Sequence, residues 1–263
     1  YIWLGAENGA FRYDGTQFQG FFNRRQKGRS ITNFQTTPDG RVWMTNFHGQ
    51  LFFYENDSLH QFAPLDTIPH APIIEQYIFD EKSRLWIGDH ASNKIFCFHP
   101  SDSVWTSIEL PISTDRKTYF RDMLQLSDGS IWLSETITGL WQIHPEIKAY
   151  GHPKDSENLQ FKLSETNTGI LRVGILSADK VQLFHFTKQA GFREIDSPIN
   201  ARATGGAYTD QEANIWLPTY EGAWVLDSTF QPLDLPQPIL PNKIITAIEQ
   251  DTEGAYWFST LGN

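Results

Sequence analysis

Short apolar runs broken by polar turns follow one another along the whole of this 263-residue chain. Residues 31–63 show the arrangement. Ile31–Thr37 holds β-branched and aromatic residues and is stopped by Pro38-Asp39-Gly40. Arg41–Asn46 carries Trp43 and is stopped by Phe47-His48-Gly49. Gln50–Glu55 contains Leu51-Phe52-Phe53-Tyr54, and beyond Asn56-Asp57-Ser58 lies Leu59–Ala63. Each run has the length of a strand, and each break is built from residues that favour tight turns. The segment therefore predicts four antiparallel strands. No stretch keeps a 3.6-residue apolar period for three turns, which excludes helical repeats.

The same pattern recurs at a fixed interval. Trp3, Trp43, Trp86, Trp132, Trp216 and Trp257 each sit second in a short apolar run, with gaps of 40, 43, 46, 84 and 41 residues. The long gap holds a weakened anchor, Val173, in Leu171-Arg172-Val173-Gly174. Seven anchors about 42 residues apart, built from strands, predict a β-propeller. The indole rings are expected to wedge between neighbouring sheets, because one twisted sheet cannot bury both its faces alone. Glycine precedes the third strand at Gly9, Gly49, Gly139 and Gly222. The expected fold is all-β: a propeller of four-stranded antiparallel blades, six or seven repeat units, the terminal ones incomplete. Residues 1–263 are expected to form a single propeller domain or a fragment of a longer propeller array.

Charge alters the picture of partners. The chain holds 21 basic and 31 acidic residues, net −10, which speaks against nucleic acid, since phosphate neutralisation needs concentrated positive surface. Arg24, Arg25, Lys27 and Arg29 form a local exception suited to an anionic ligand or to solvent. No segment approaches 18 continuous apolar residues, so no membrane contact is required of it. Cys97 is the single cysteine and reads as a small buried filler.

Motifs with chemistry of their own are sparse. Eight histidines are scattered without a His-x-x-x-His pair, and with one cysteine no thiolate cluster can form. There is no Gly-x-Ser-x-Gly elbow and no glycine-rich phosphate loop. No catalytic residue, cofactor or metal site is expected. With the usual blade order, loops joining second to third strands share a face with the loops between blades. They contribute Glu7, Asn46, His48, Asp89, His90, Glu135, Tyr220 and Glu221 as ligand-binding candidates. Carboxylates and amides bond hydroxyl groups, and rings stack on the apolar faces of sugars. Arg24, Arg25, Tyr119, Arg202 and Lys243 are second-rank candidates.

Ile2-Trp3-Leu4-Gly5-Ala6-Glu7-Asn8-Gly9-Ala10-Phe11-Arg12-Tyr13-Asp14 closely resembles the repeat of the two-component regulator propeller family. Leu85-Trp86-Ile87-Gly88, Ile131-Trp132-Leu133-Ser134 with Gly139-Leu140, and Ile215-Trp216-Leu217-Pro218 with Gly222 keep parts of it. Ser134, Pro218 and Val173 depart from the pattern. The resemblance implies an extracytoplasmic ligand-recognition module of a two-component sensor, periplasmic or extracellular. It implies a carbohydrate fragment, such as an oligosaccharide, or another small ligand as partner, and a homodimer through the parent sensor as the signalling form. The alternatives are a non-catalytic protein-interaction propeller and a propeller lyase or hydrolase. A likeness to streptogramin lyases extends to the fold and fixes no residue. On this reading the segment itself is more an acceptor of ligand than an enzyme.

Overall fold

The computed structural model describes the chain except Pro38, His90, Ala91, 113–117, 154–159, 166–170, 177–180, 197–198, 205–206, Phe230 and 262–263. The described residues are all strand and turn apart from one 3-10 turn at Ala63–Thr67. They form two compact units, Tyr1–Phe120 and Arg121–Asn263.

The first unit opens with β1 (Ile2–Ala6), β2 (Gly9–Tyr13) and β3 (Phe18–Phe21), a three-stranded antiparallel sheet. A second sheet follows in simple order: β4 (Thr32–Thr36), β5 (Val42–Thr45), β6 (Leu51–Glu55) and β7 (Ser58–Gln61). The third comprises β8 (Ile74–Phe79), β9 (Leu85–Asp89), β10 (Lys94–His99) and β11 (Val104–Glu109). The core lies between neighbouring sheets. Ala10 and Phe21 meet Ile31, Met44 and Phe52, with Trp3 packed against them. Trp43 joins Tyr77, Leu85, Ile87 and Phe98 of the third sheet. Its ring centroid is 4.7 Å from that of Phe79.

The second unit repeats the design. Its first sheet is β12 (Phe120–Gln125), β13 (Ile131–Glu135), β14 (Gly139–His144) and β15 (Lys148–Gly151). The next is β16 (Gln160–Glu165), β17 (Leu171–Leu176), β18 (Val181–Thr187) and β19 (Gly191–Ile195). Then come a three-stranded sheet of β20 (Tyr208–Thr209), β21 (Ile215–Thr219) and β22 (Gly222–Leu226), and a pair, β23 (Ile244–Gln250) with β24 (Tyr256–Leu261). Trp132 packs with Leu163, Phe184 and Phe186 of the following sheet, and Trp216 with Ile245 and Ile248 of the last. Val173 lies on β17, and its side chain falls outside the described residues.

The expectation of six or seven four-stranded blades is overturned. The sheets hold between two and four strands, and among the described residues only four of them hold four. The sheet of β20–β22 shows why. Pro232, Pro236, Pro238 and Pro241 punctuate the stretch where a fourth strand would run, and proline brings no N–H to a ladder. Among the described residues only isolated bridges remain there, Ala223 with Ile239 and Leu226 with Pro232. The Gln237 side chain substitutes for the missing strand: its amide oxygen accepts from Val225 N–H at 2.9 Å and its amide nitrogen donates to the Val225 carbonyl at 3.0 Å.

Candidate functional site

Most carboxylate and amide candidates on the strand-joining loops are committed to holding those loops. Asn46 is buried. Its Oδ1 accepts from the N–H groups of His48 and Gln50, at 3.1 and 3.0 Å, and its Nδ2 donates to Gln50 Oε1 at 2.9 Å. Asp89 is also buried and accepts from Ile73 N–H at 2.9 Å and Ser92 Oγ at 2.6 Å. Glu135 is fully buried. It accepts from the N–H groups of Ile137, Thr138 and Gly139 and from the Trp141 indole. Such carboxylates cap backbone donors that the tight turn leaves unpaired. His90 lies outside the described residues. Glu7 is exposed and Tyr119 half-buried.

Two clusters of candidates do form, one in each unit. In the first unit the cationic loop after β3 is fixed in place. Gln50 Nε2 donates to the Arg25 carbonyl at 2.9 Å, and Lys27 N–H donates to Gln50 Oε1 at 2.7 Å. Asn23 Nδ2 donates to the Leu59 carbonyl at 2.7 Å. Arg24, Arg25, Lys27 and Arg29 stay exposed on this pinned backbone. His48 is exposed beside it, so close that a methyl group on Gly28 would lie 2.5 Å from the imidazole.

In the second unit Arg202, Tyr220, Glu221 and Lys243 come together. Tyr220 N–H donates to the Arg202 carbonyl at 3.0 Å, and the Arg202 guanidinium lies 4.5 Å from the Tyr220 ring centroid. The Glu221 carbonyl accepts from Asn242 N–H at 3.2 Å, next to Lys243. Tyr220 remains 44% exposed, so the guanidinium covers one face of the ring and leaves area for a ligand. The arrangement offers a stacking ring with a guanidinium on one face, beside the backbone contact of Glu221 with Asn242. Among the described residues no group of three His, Cys, Asp or Glu side chains gathers around a metal position. No described helix is long and apolar enough to cross a membrane.

Sequence reasoning missed three aspartates that support the fold. Asp80, Asp210 and Asp251 each stand six residues before an anchor tryptophan and accept its indole N–H, at 2.9, 2.8 and 2.8 Å. The other oxygen of each takes the N–H groups of residues two and four positions on. A constant spacing of six was the available signal. Burial alone would raise the Asp210 carboxyl, but hydrogen bonds from Tyr256, Trp216 and Asn214 outweigh it and hold it below the ordinary value.

Comparison with known proteins places this architecture among β-propellers. No family model and no curated protein matches the chain. Among solved structures, virginiamycin B lyase from Staphylococcus aureus, in complex with quinupristin, is 15% identical and matches at a TM-score of 0.74, over 97% of this chain and 85% of the lyase. The extracellular domain of a one-component system from B. thetaiotaomicron is 20% identical, with a TM-score of 0.73; the match spans 98% of this chain and 35% of that protein. PorZ, a bacterial surface component of the type-IX secretion system of Porphyromonas gingivalis, is 16% identical with a TM-score of 0.65, over 95% of this chain and 41% of PorZ. The chain thus has a β-propeller fold like those of extracellular sensor domains and of lyases, at low identity to both. The expectation that the segment is more an acceptor of ligand than an enzyme is corrected: the solved structures of like fold include enzymes, the virginiamycin and streptogramin B lyases.

Proposed function

We propose that this propeller captures a glycan fragment or a similarly hydroxyl-rich small ligand outside the cytoplasm, with the Tyr220 cluster as its contact surface. The carrying observation is the half-exposed Tyr220 ring, stiffened on one face by Arg202, with Glu221 the next residue of the chain. A ring held in place loses little freedom when a sugar face stacks on it, and a neighbouring carboxylate accepts from hydroxyls that the ring cannot serve. The extracellular sensor domains of like fold support reading this capture as the input of a receptor. Signal output then requires the ligand to bind one receptor arrangement more tightly than another. In a second reading capture precedes bond cleavage. Its support is the match to virginiamycin B lyase over 85% of that enzyme.

One experiment addresses both. The chain is titrated calorimetrically against a panel of oligosaccharide fragments, and each bound fragment is then followed by mass spectrometry for products. Binding lost about tenfold in Tyr220→Ala supports the contact surface. Product formation selects the lyase reading, whereas recovery of intact ligand selects the receptor. No binding across the panel, or binding indifferent to Tyr220, ends the proposal.

A further inference from the structure

A cleft of about 630 Å³ opens along the outer edges of the first two sheets, between β3 with its following loop and the β6–β7 hairpin. Phe22, Arg24 and Arg25 line one side, and Ser58, His60 and Gln61 the other. Three features separate it from an ordinary solvated groove.

The first is charge. Asp57 is the single carboxylate in the wall, and it is already matched: it accepts from Tyr54 Oη at 2.5 Å and faces Arg12 Nη1 at 3.4 Å. Arg24 and Arg25 have no carboxylate partner among the described residues. Two exposed arginines therefore line the cleft without an internal anion among the described residues. The second is rigidity. The loop that carries them is fastened through Asn23 to Leu59 of β7 and through Gln50 to Arg25 and Lys27. Arg25 N–H is itself held by Asn23 Oδ1 at 2.8 Å. Fixing the backbone in advance removes part of the ordering cost of binding. The third is Phe22, 74% exposed although its neighbour Phe21 is buried in the core. Phe21 anchors the chain at that point and leaves the Phe22 ring at the cleft.

The geometry points to a binding site for a small carboxylate whose other side is a flat apolar face. Guanidinium groups fit a carboxylate through paired N–H donors, the Phe22 ring takes the apolar face, and Ser58 and Gln61 supply hydrogen bonds to remaining polar atoms. Uronic acids and aromatic carboxylates share this chemistry. The assignment does not rest on the reading of Tyr220.

The test is calorimetric titration of the chain with a galacturonate trisaccharide and, separately, with phenylacetate. The controls are the carboxyl-reduced trisaccharide and phenylacetamide. At least one carboxylate is expected to bind, with its neutral counterpart weaker by about tenfold or more. Either probe alone identifies the source of the ligand; both together show that the carboxylate and the flat face suffice. Arg24→Gln with Arg25→Gln is expected to abolish the discrimination, and Phe22→Ala to weaken both forms alike. All three side chains are exposed, so the thermal midpoint of each variant should stay at that of the parent. Arg24→Lys with Arg25→Lys should restore charge but only part of the affinity, because the paired donors are lost. Absence of binding by both carboxylates overturns the proposal. So does equal affinity for the neutral forms, or retention of affinity in the double glutamine variant.

Discussion

At the scale of single residues, the anchor tryptophans differ in whether the indole N–H finds an acceptor. Trp86, Trp216 and Trp257 each donate to an aspartate six positions earlier, and Trp132 donates to Ser130 at 2.8 Å. Trp43 is buried, and its Nε1 has no partner among the described residues. The residue six before it is Thr37, whose hydroxyl is turned to Asp39 and to the Arg41 carbonyl. Thr37→Asp, with Asp39→Asn to remove the new repulsion, should supply the missing acceptor and raise stability by about 1 kcal/mol in urea titration. Asp210→Ala should cost about 3 kcal/mol, since it strands the Trp216 indole and the Tyr256 hydroxyl. These aspartates also set an acid limit. Asp80, Asp210 and Asp251 have carboxyls held below the ordinary range, as does Asp14, lowered to about 2 by the N–H of Gln17 and the hydroxyl and N–H of Thr16. A carboxyl depressed in the folded state contributes stability above its unfolded pKa, and that contribution fades as pH falls through the folded value. Thermal midpoints should therefore decline from about pH 4 downward, and less steeply in Asp210→Asn than in the parent.

At the scale of elements, the glycine after the anchor tryptophan has a steric reason. A methyl group on Gly5 would lie 2.3 Å from the Ile31 carbonyl oxygen, where the chain enters the next sheet. Gly139, at φ +101°, would place one 2.4 Å from the Gly151 oxygen, whereas Gly40, at φ +80°, would meet nothing within 4 Å. Gly139→Ala should thus lower the denaturation midpoint far more than Gly40→Ala, which carries only the backbone strain of about 1 kcal/mol. The anchors differ in the same way. Trp132 is 2% exposed and Trp257 39%, so Trp132→Ala should cost about 3–5 kcal/mol and Trp257→Ala much less in the same titration. Strand order, turn positions and the anchors were legible in the sequence because apolar alternation and Asp-Gly turns act locally. The truncated sheet at β20–β22 was less so. Its proline run was visible as a loop, but a glutamine side chain serving as a strand is a tertiary event. The turn-holding bonds of Glu135 and Asp89 were not legible for a related reason: a polar residue on a loop reads the same in sequence whether it faces a ligand or its own turn's N–H groups. Arg202 and Tyr220 were legible separately, and only folding shows them stacked.

At the scale of the molecule, the sign of the net charge opposes the sign of the proposed oxyanion cleft. A chain of net −10 repels small anions at long range. The unpaired guanidinium groups of Arg24 and Arg25 attract them at short range. Salt separates the two, because charges farther apart than about 8 Å at physiological ionic strength are largely screened, whereas paired donors in direct contact are screened less. Raising salt from a low level should first relieve the diffuse repulsion and then erode the contact. Carboxylate affinity in the parent should accordingly fall at high ionic strength, with the contact term dominant. In Arg24→Gln with Arg25→Gln the paired contact is gone and the net repulsive field, softened by Lys27 and Arg29, dominates, so the residual affinity should rise with salt. The opposite slopes are measurable by titrating galacturonate trisaccharide at a series of sodium chloride concentrations. Parallel slopes would mean that the cations of this loop act as part of the general surface rather than as a pair at the cleft. The comparison also controls for fold, since both chains keep the Asn23 and Gln50 hydrogen bonds that hold the loop backbone. A change in the sign of the slope is therefore assignable to the two guanidinium groups alone.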